Sequence, residues 1–67
     1  MTGLEYLAAI KHVGLNQSES GVFFGAHEQT GRRWAASGPP GSVAMLLKLM
    51  IRLEYTPDQI RKLIDGA

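Results

Sequence analysis

QSESGVFFGAHEQTGRRW, residues Gln17 to Trp34, decides how this 67-residue chain is read. Asn16 and Glu19 sit three apart, the spacing of a capping box: the first side chain accepts from a backbone N–H in the first turn and the second reaches back. A helix therefore opens with Gln17 in its first position. Gly25 is where the backbone can turn without a Cβ penalty. A second helix then starts near His27 and runs to about Ala36. Wound at 3.6 residues per turn, Thr30 and Trp34 face a core, while Glu28, Gln29, Arg32 and Arg33 fall away from it. These four form a clustered polar set on one short helix.

Two short helices joined by a tight turn, the second carrying two arginines, have the plan of a helix-turn-helix. In that motif the first helix crosses the DNA backbone and the second enters the major groove. Counting Gln17 as position one, Gly25 is position nine, flanked by apolar Phe24 and Ala26, and Trp34 is position eighteen. On these residues the chain resembles the Cro and phage-repressor family, often called the XRE family. GRRWAASGPPGSVAMLLKLM is similar to that family too, where a Gly/Pro-rich loop leads into an apolar helix, so the resemblance covers about residues 4 to 54.

The resemblance implies an all-α fold, a compact bundle of about five short helices of the lambda-repressor-like kind. It also implies roles for residues. Base reading falls to the positions held here by Glu28, Gln29 and Arg33. The chemistry suits: Arg can bond guanine O6 and N7, Gln can bond adenine, and Glu can accept from cytosine N4. Phosphate contacts fall to Gln17, His27 and Arg32, with Ser37 in the following loop as a further one. Each also has a plainer reading. Glu28 with Arg32 makes an i,i+4 salt bridge on a solvated face, Gln17 is an ordinary exposed glutamine, and Ser37 is part of a loop.

The chain departs from the family's pattern at Gly21 and Gly31, where alanine and a branched apolar residue are usual. Glycine inside a helix costs about 1 kcal/mol relative to alanine. One account is that both lie opposite the large Phe23 and Phe24 and keep the packed volume tolerable. The other is that the second helix is frayed when free and orders on DNA.

Outside this stretch, length and composition set bounds. The chain is one domain, residues 1–67, with the helix-turn-helix over about 17–36 and C-terminal helices over 42–65. A core of this size rarely supplies more than about 3–5 kcal/mol, so an oligomer interface is the expected extra support. With no cysteine, neither a disulfide framework nor a thiolate metal site is available. A net charge of +1 argues against tight non-specific binding of nucleic acid but not against a local basic cluster. No signal peptide or membrane span is legible, and a cytoplasmic protein is expected. No nucleophile motif, phosphate-cradling loop or paired carboxylates occur, so an enzyme is not expected. Nor is a metal or cofactor: His27 has only His12 as a companion.

Thr2 and Glu5 form another capping box and open a first helix that runs to about Val13, with Gly14 ending it. Leu4, Leu7, Ala8 and Ile10 are expected to face inward, leaving Tyr6, Lys11 and His12 at the edge or outside. SGPPGS, residues 37–42, breaks the chain before a fourth helix from about Ser42 to Glu54. Val43, Leu46, Leu47 and Met50 form its core stripe, Lys48 and Arg52 stand opposite, and Met45, Leu49 and Leu53 make a second apolar flank. Thr56, Pro57 and Gln59 open a fifth helix with Ile60, Leu63 and Ile64 on its apolar side. That surplus apolar surface must be covered. Either Met45, Leu49, Leu53, Ile60 and Leu63 pair with a second copy across a two-fold axis, or the fifth helix folds back over the flank within one chain.

Together these readings lead to a homodimeric, sequence-specific DNA-binding regulator. It would act as a repressor on a palindromic site in double-stranded DNA, in the autoregulatory setting the resemblance suggests. The alternative is a protein-interaction module that keeps the fold but binds another protein through its last two helices.

Overall fold

The computed structural model describes residues 1–66. They form five α-helices and, among the described residues, no strand: α1 (Gly3–Val13), α2 (Gln17–Phe23), α3 (Glu28–Ser37), α4 (Gly41–Leu53) and α5 (Pro57–Asp65). The all-α bundle expected from the sequence is therefore the observed architecture. Three of the helices begin in reciprocal capping boxes, at Thr2/Glu5, Asn16/Glu19 and Thr56/Gln59. In the first, the Glu5 N–H donates to Thr2 Oγ1 at 3.1 Å and the Thr2 N–H donates to Glu5 Oε1 at 2.8 Å. The Thr2 N–H on the carboxylate, with a smaller contribution from the Thr2 hydroxyl, holds the Glu5 carboxyl below its ordinary pKa. α3 starts differently: His27 is its N-cap and makes no side-chain capping bond.

α2 and α3 are the most closely packed pair in the chain. Their contact is backbone on backbone. A Cβ added to Gly21 would overlap the His27 carbonyl oxygen and come within 2.7 Å of the Gly31 nitrogen. One added to Gly31 would overlap the Gln17 carbonyl oxygen and come within 2.7 Å of the Gly21 nitrogen. The two glycines thus face each other, not Phe23 and Phe24, and the account based on phenylalanine volume is corrected: side-chain absence here lets two helices touch. Gly25, at φ 83°, makes the turn between them in the left-handed region where a Cβ is strained.

The core centres on α1, but on a different face from the one expected. Tyr6 and Ile10 are fully buried, with Ala9, Val13 and Leu15 beside them, and Leu47 and Met50 arrive from α4. Leu4 is 81% exposed and Ala8 is exposed as well; only Leu7 of the other expected inward residues packs at the margin. The reason is a polar one. The Tyr6 hydroxyl donates to Ser20 Oγ at 2.6 Å, and Ser20 donates in turn to the Gln17 carbonyl at 2.7 Å. With its hydroxyl satisfied, tyrosine buries its large ring in the middle of the fold, edge-on to Trp34 at 6.0 Å between centroids.

On α4 the buried line is Ala44, Leu47 and Met50, with Val43 and Ile51 at its margin, and Leu46 is 37% exposed. The stripe is rotated from the expected one: the small Ala44, three residues before Leu47, is buried and Leu46 is not. α5 is anchored by buried Pro57 and by Ile60, and Arg61 lies 5.2 Å over the Phe23 ring while pairing with Asp58 at 3.1 Å. It does not cover the second flank of α4: Met45, Leu49 and Leu53 are 69%, 53% and 52% exposed. The fold-back alternative is thereby set aside for these three residues.

Gly31→Ala should reverse the usual helix rule. Instead of gaining about 1 kcal/mol from propensity, it is expected to lose about 1–3 kcal/mol or more through overpacking, seen as a lower urea midpoint. Unchanged or increased stability would show that α2 and α3 do not approach this closely.

Burial raises the Tyr6 pKa above its ordinary value of 10.0, against the smaller opposing effect of the Ser20 bond. The folded chain thus keeps a proton that the unfolded chain releases, so stability is fully present below pH of about 10 and falls as pH rises beyond it. Tyr6→Phe should flatten that alkaline decline and cost about 1 kcal/mol at neutral pH through the lost hydrogen bond, as measured by urea unfolding across pH.

Candidate functional site

The glycine contact fixes which side of α3 looks outward. With Gly31 pressed on α2 and Ala35 buried, the 3.6-residue period places Gln29 and Arg33 on the opposite line of the helix, with Ala36 beside them. All three are exposed. Glu28 and Arg32 stand on the flank between this ridge and α2. Trp34 and Thr30 turn inward and are half-buried, with Trp34 edge-on to both Tyr6 and Phe24.

The flank is organised by a contact that crosses helices. Arg32 Nη2 donates to Ser18 Oγ of α2 at 3.0 Å, and the same nitrogen lies 3.9 Å from Glu28 Oε2. The i,i+4 pair anticipated from the sequence is therefore present, but it is half of a three-residue arrangement. Arg33, by contrast, has no side-chain hydrogen bond or ion pair among the described residues. It is the cation of α3 left available to an external acceptor.

The other residues singled out from the sequence lie at the two ends of α3 and on α2. Gln17 is exposed at the first position of α2, and its carbonyl abuts Gly31. His27 is exposed at the α3 N-cap. Ser37 is exposed at the other end, its hydroxyl donating to the Arg33 carbonyl at 3.0 Å. Glu28, Gln29, Arg32 and Arg33 thus share one short helix, with His27 and Ser37 at its two ends and Gln17 at the start of α2. Ser18 is the member that sequence reasoning missed. It is separated from Arg32 by 14 residues and belongs to no capping pattern or apolar stripe, so nothing local pairs the two.

The remaining candidates lie elsewhere. Leu63 on α5 is 57% exposed, as are Met45, Leu49 and Leu53 of α4 to similar degrees, whereas Ile60 packs against the core of its own chain. Among the described residues no group of three His, Asp or Glu side chains is placed to hold a metal ion, and no helix is long and apolar enough to cross a membrane. The chain matches no protein-family model, no curated protein sequence and no solved structure.

The Arg32 contacts are solvent-exposed, with side-chain exposures of 52% for Arg32 and 67% for Glu28. At such exposure a hydrogen bond and an ion pair add little to stability. Arg32→Ala is expected to change unfolding free energy by less than about 1 kcal/mol; a loss well above that would make the contact a structural strut.

Proposed function

We propose that this chain is a sequence-specific DNA-binding regulator, a homodimeric repressor that occupies a palindromic operator. The observation that carries the reading is the outward ridge of α3. Gln29 and the unpartnered Arg33, with Glu28 beside them, stand clear of the bundle on a helix wedged rigidly against α2. These are side chains that can discriminate base edges in a major groove: Arg with guanine, Gln with adenine, Glu with cytosine. Gln17, His27 and Ser37 surround the ridge as phosphate contacts, which position a protein without specifying sequence. The likeness of Gln17–Trp34 to the helix-turn-helix of the Cro and phage-repressor family supports the same reading.

Repression requires only that the promoter be occupied, which the DNA-binding surface of α3 would supply. Two copies would join through Met45, Leu49, Leu53 and Leu63 and set their α3 helices about 34 Å apart, one turn of DNA. Exposed apolar residues in a row on α4 and α5 support that pairing.

A different apolar surface favours a second reading, a module that binds another protein. An open groove of about 540 Å³ between α2, α4 and α5 is walled by Phe23, Val43, Leu46, Ile60 and Ile64. On that reading α3 is a spectator.

A fluorescence-anisotropy titration of the chain against the DNA upstream of its own coding sequence, with a scrambled duplex as control, separates the two. Tight binding to one duplex with two protomers per site is the expected outcome. Equal binding to both duplexes would refute autoregulation at that site, and failure to select any sequence from random duplex DNA as well would refute the regulator reading and leave the interaction module. Arg33→Ala should weaken cognate binding by about 1–3 kcal/mol and relax preference at one base pair per half-site, with the affinity for scrambled DNA little changed.

A further inference from the structure

We infer that Arg32 acts as a positioning residue for Glu28 and that the pair reads a cytosine. The inference rests on the DNA-binding reading above. It starts from one nitrogen: Arg32 Nη2 is bonded to Ser18 Oγ at 3.0 Å and lies 3.9 Å from Glu28 Oε2. Ser18 is half-buried on α2, and α2 is held to α3 backbone to backbone at Gly21 and Gly31. The guanidinium therefore has a rigid stop on one side and draws the Glu28 carboxylate from the other. This engagement takes Arg32 away from the phosphate role that its position suggests.

A lone glutamate at a DNA surface is repelled by phosphates. Beside Arg32 that repulsion is offset, and a carboxylate drawn to Arg32 through one oxygen retains acceptor capacity for a base. The bases differ in what they offer it. In the major groove guanine shows acceptors only, thymine an acceptor and a methyl group, and adenine a donor next to its N7 acceptor. Cytosine alone presents its N4 amino donor without an adjacent acceptor of its own, so an acceptor-only group selects it. An orienting cation sharpens that choice, because a carboxylate free to rotate away gives up little on meeting the wrong base.

The test is a double-mutant cycle on the full chain. A site is first selected by the wild-type protein from random duplex DNA, and the base pair that Glu28→Gln shifts from cytosine to adenine identifies the Glu28 position. Arg32→Ala is then expected to reduce the preference for cytosine at that position by about tenfold, with preferences elsewhere unchanged. In the Glu28→Gln background it should produce no further change at that base pair, because Arg32 acts through Glu28. Ser18→Ala should give the same pattern more weakly. Circular dichroism checks that each variant is folded. Uniform weakening by Arg32→Ala at every duplex, with a flatter salt dependence, would overturn the inference and make Arg32 a phosphate contact. Failure of Glu28→Gln to alter any base preference would also overturn it while leaving the regulator intact. Wild-type protein that selects no sequence would overturn the regulator reading and this inference together.

Discussion

Everything on the proposed working side of this protein depends on Gly21 and Gly31 meeting with no side chain between them. Packed helices ordinarily stand about 8–10 Å apart, the distance being set by the residues at the contact. Here the contact residues are hydrogen at the Cα, so α2 and α3 close to backbone range. Ser18 then comes within reach of Arg32, Trp34 is brought against Tyr6 and Phe24, and the line of Gln29 and Arg33 is aimed away from the bundle. A side chain at either glycine would move all three together. Two glycines inside helices cost intrinsic stability, and the close approach is what that cost secures.

The second constraint is polar and buried. Tyr6, Ser20 and the Gln17 carbonyl form a short chain of hydrogen bonds through the centre of α1 and α2. Among the described residues no buried side-chain nitrogen or oxygen lacks a partner. A fully satisfied network of this kind fixes a unique arrangement, since any rotation of α1 would strand a hydroxyl in an apolar interior. It ties α1 to the N-terminal turn of α2, the same turn whose Gln17 carbonyl abuts Gly31. The core and the outward face of α3 are therefore coupled through one turn of helix.

Beyond α3 the molecule is unevenly finished. α1, α2 and α3 bury their apolar faces against one another and against Leu47 and Met50. The far side of α4 and the end of α5 leave Met45, Leu49, Leu53, Leu63 and Ile64 largely exposed. A monomer of this size has little core to draw on, and the use proposed for residues left in water is burial against a partner. In the proposed repressor that use is the second copy, and in the alternative it is a different protein.

What the sequence determined by itself was local: where the helices begin, and that there are five. Capping boxes, a proline at Pro57 and a turn glycine at Gly25 are signals carried within a few residues, and the observed helices follow them. The polar set on α3 was legible for the same reason, because 3.6-residue periodicity separates it from Thr30 and Trp34. Which face of α1 turns inward was not legible. Leu4, Leu7, Ala8, Ala9, Ile10 and Val13 distribute apolar side chains around the helix, so periodicity alone ranks several faces alike, and a tyrosine looks like an edge residue until its hydroxyl finds Ser20. Tertiary structure decided that, and it decided the meaning of Gly21 and Gly31. Bonds between Tyr6 and Ser20, or Arg32 and Ser18, join residues 14 apart in the chain. Their formation depends on how two helices dock, and no property of either residue alone encodes it.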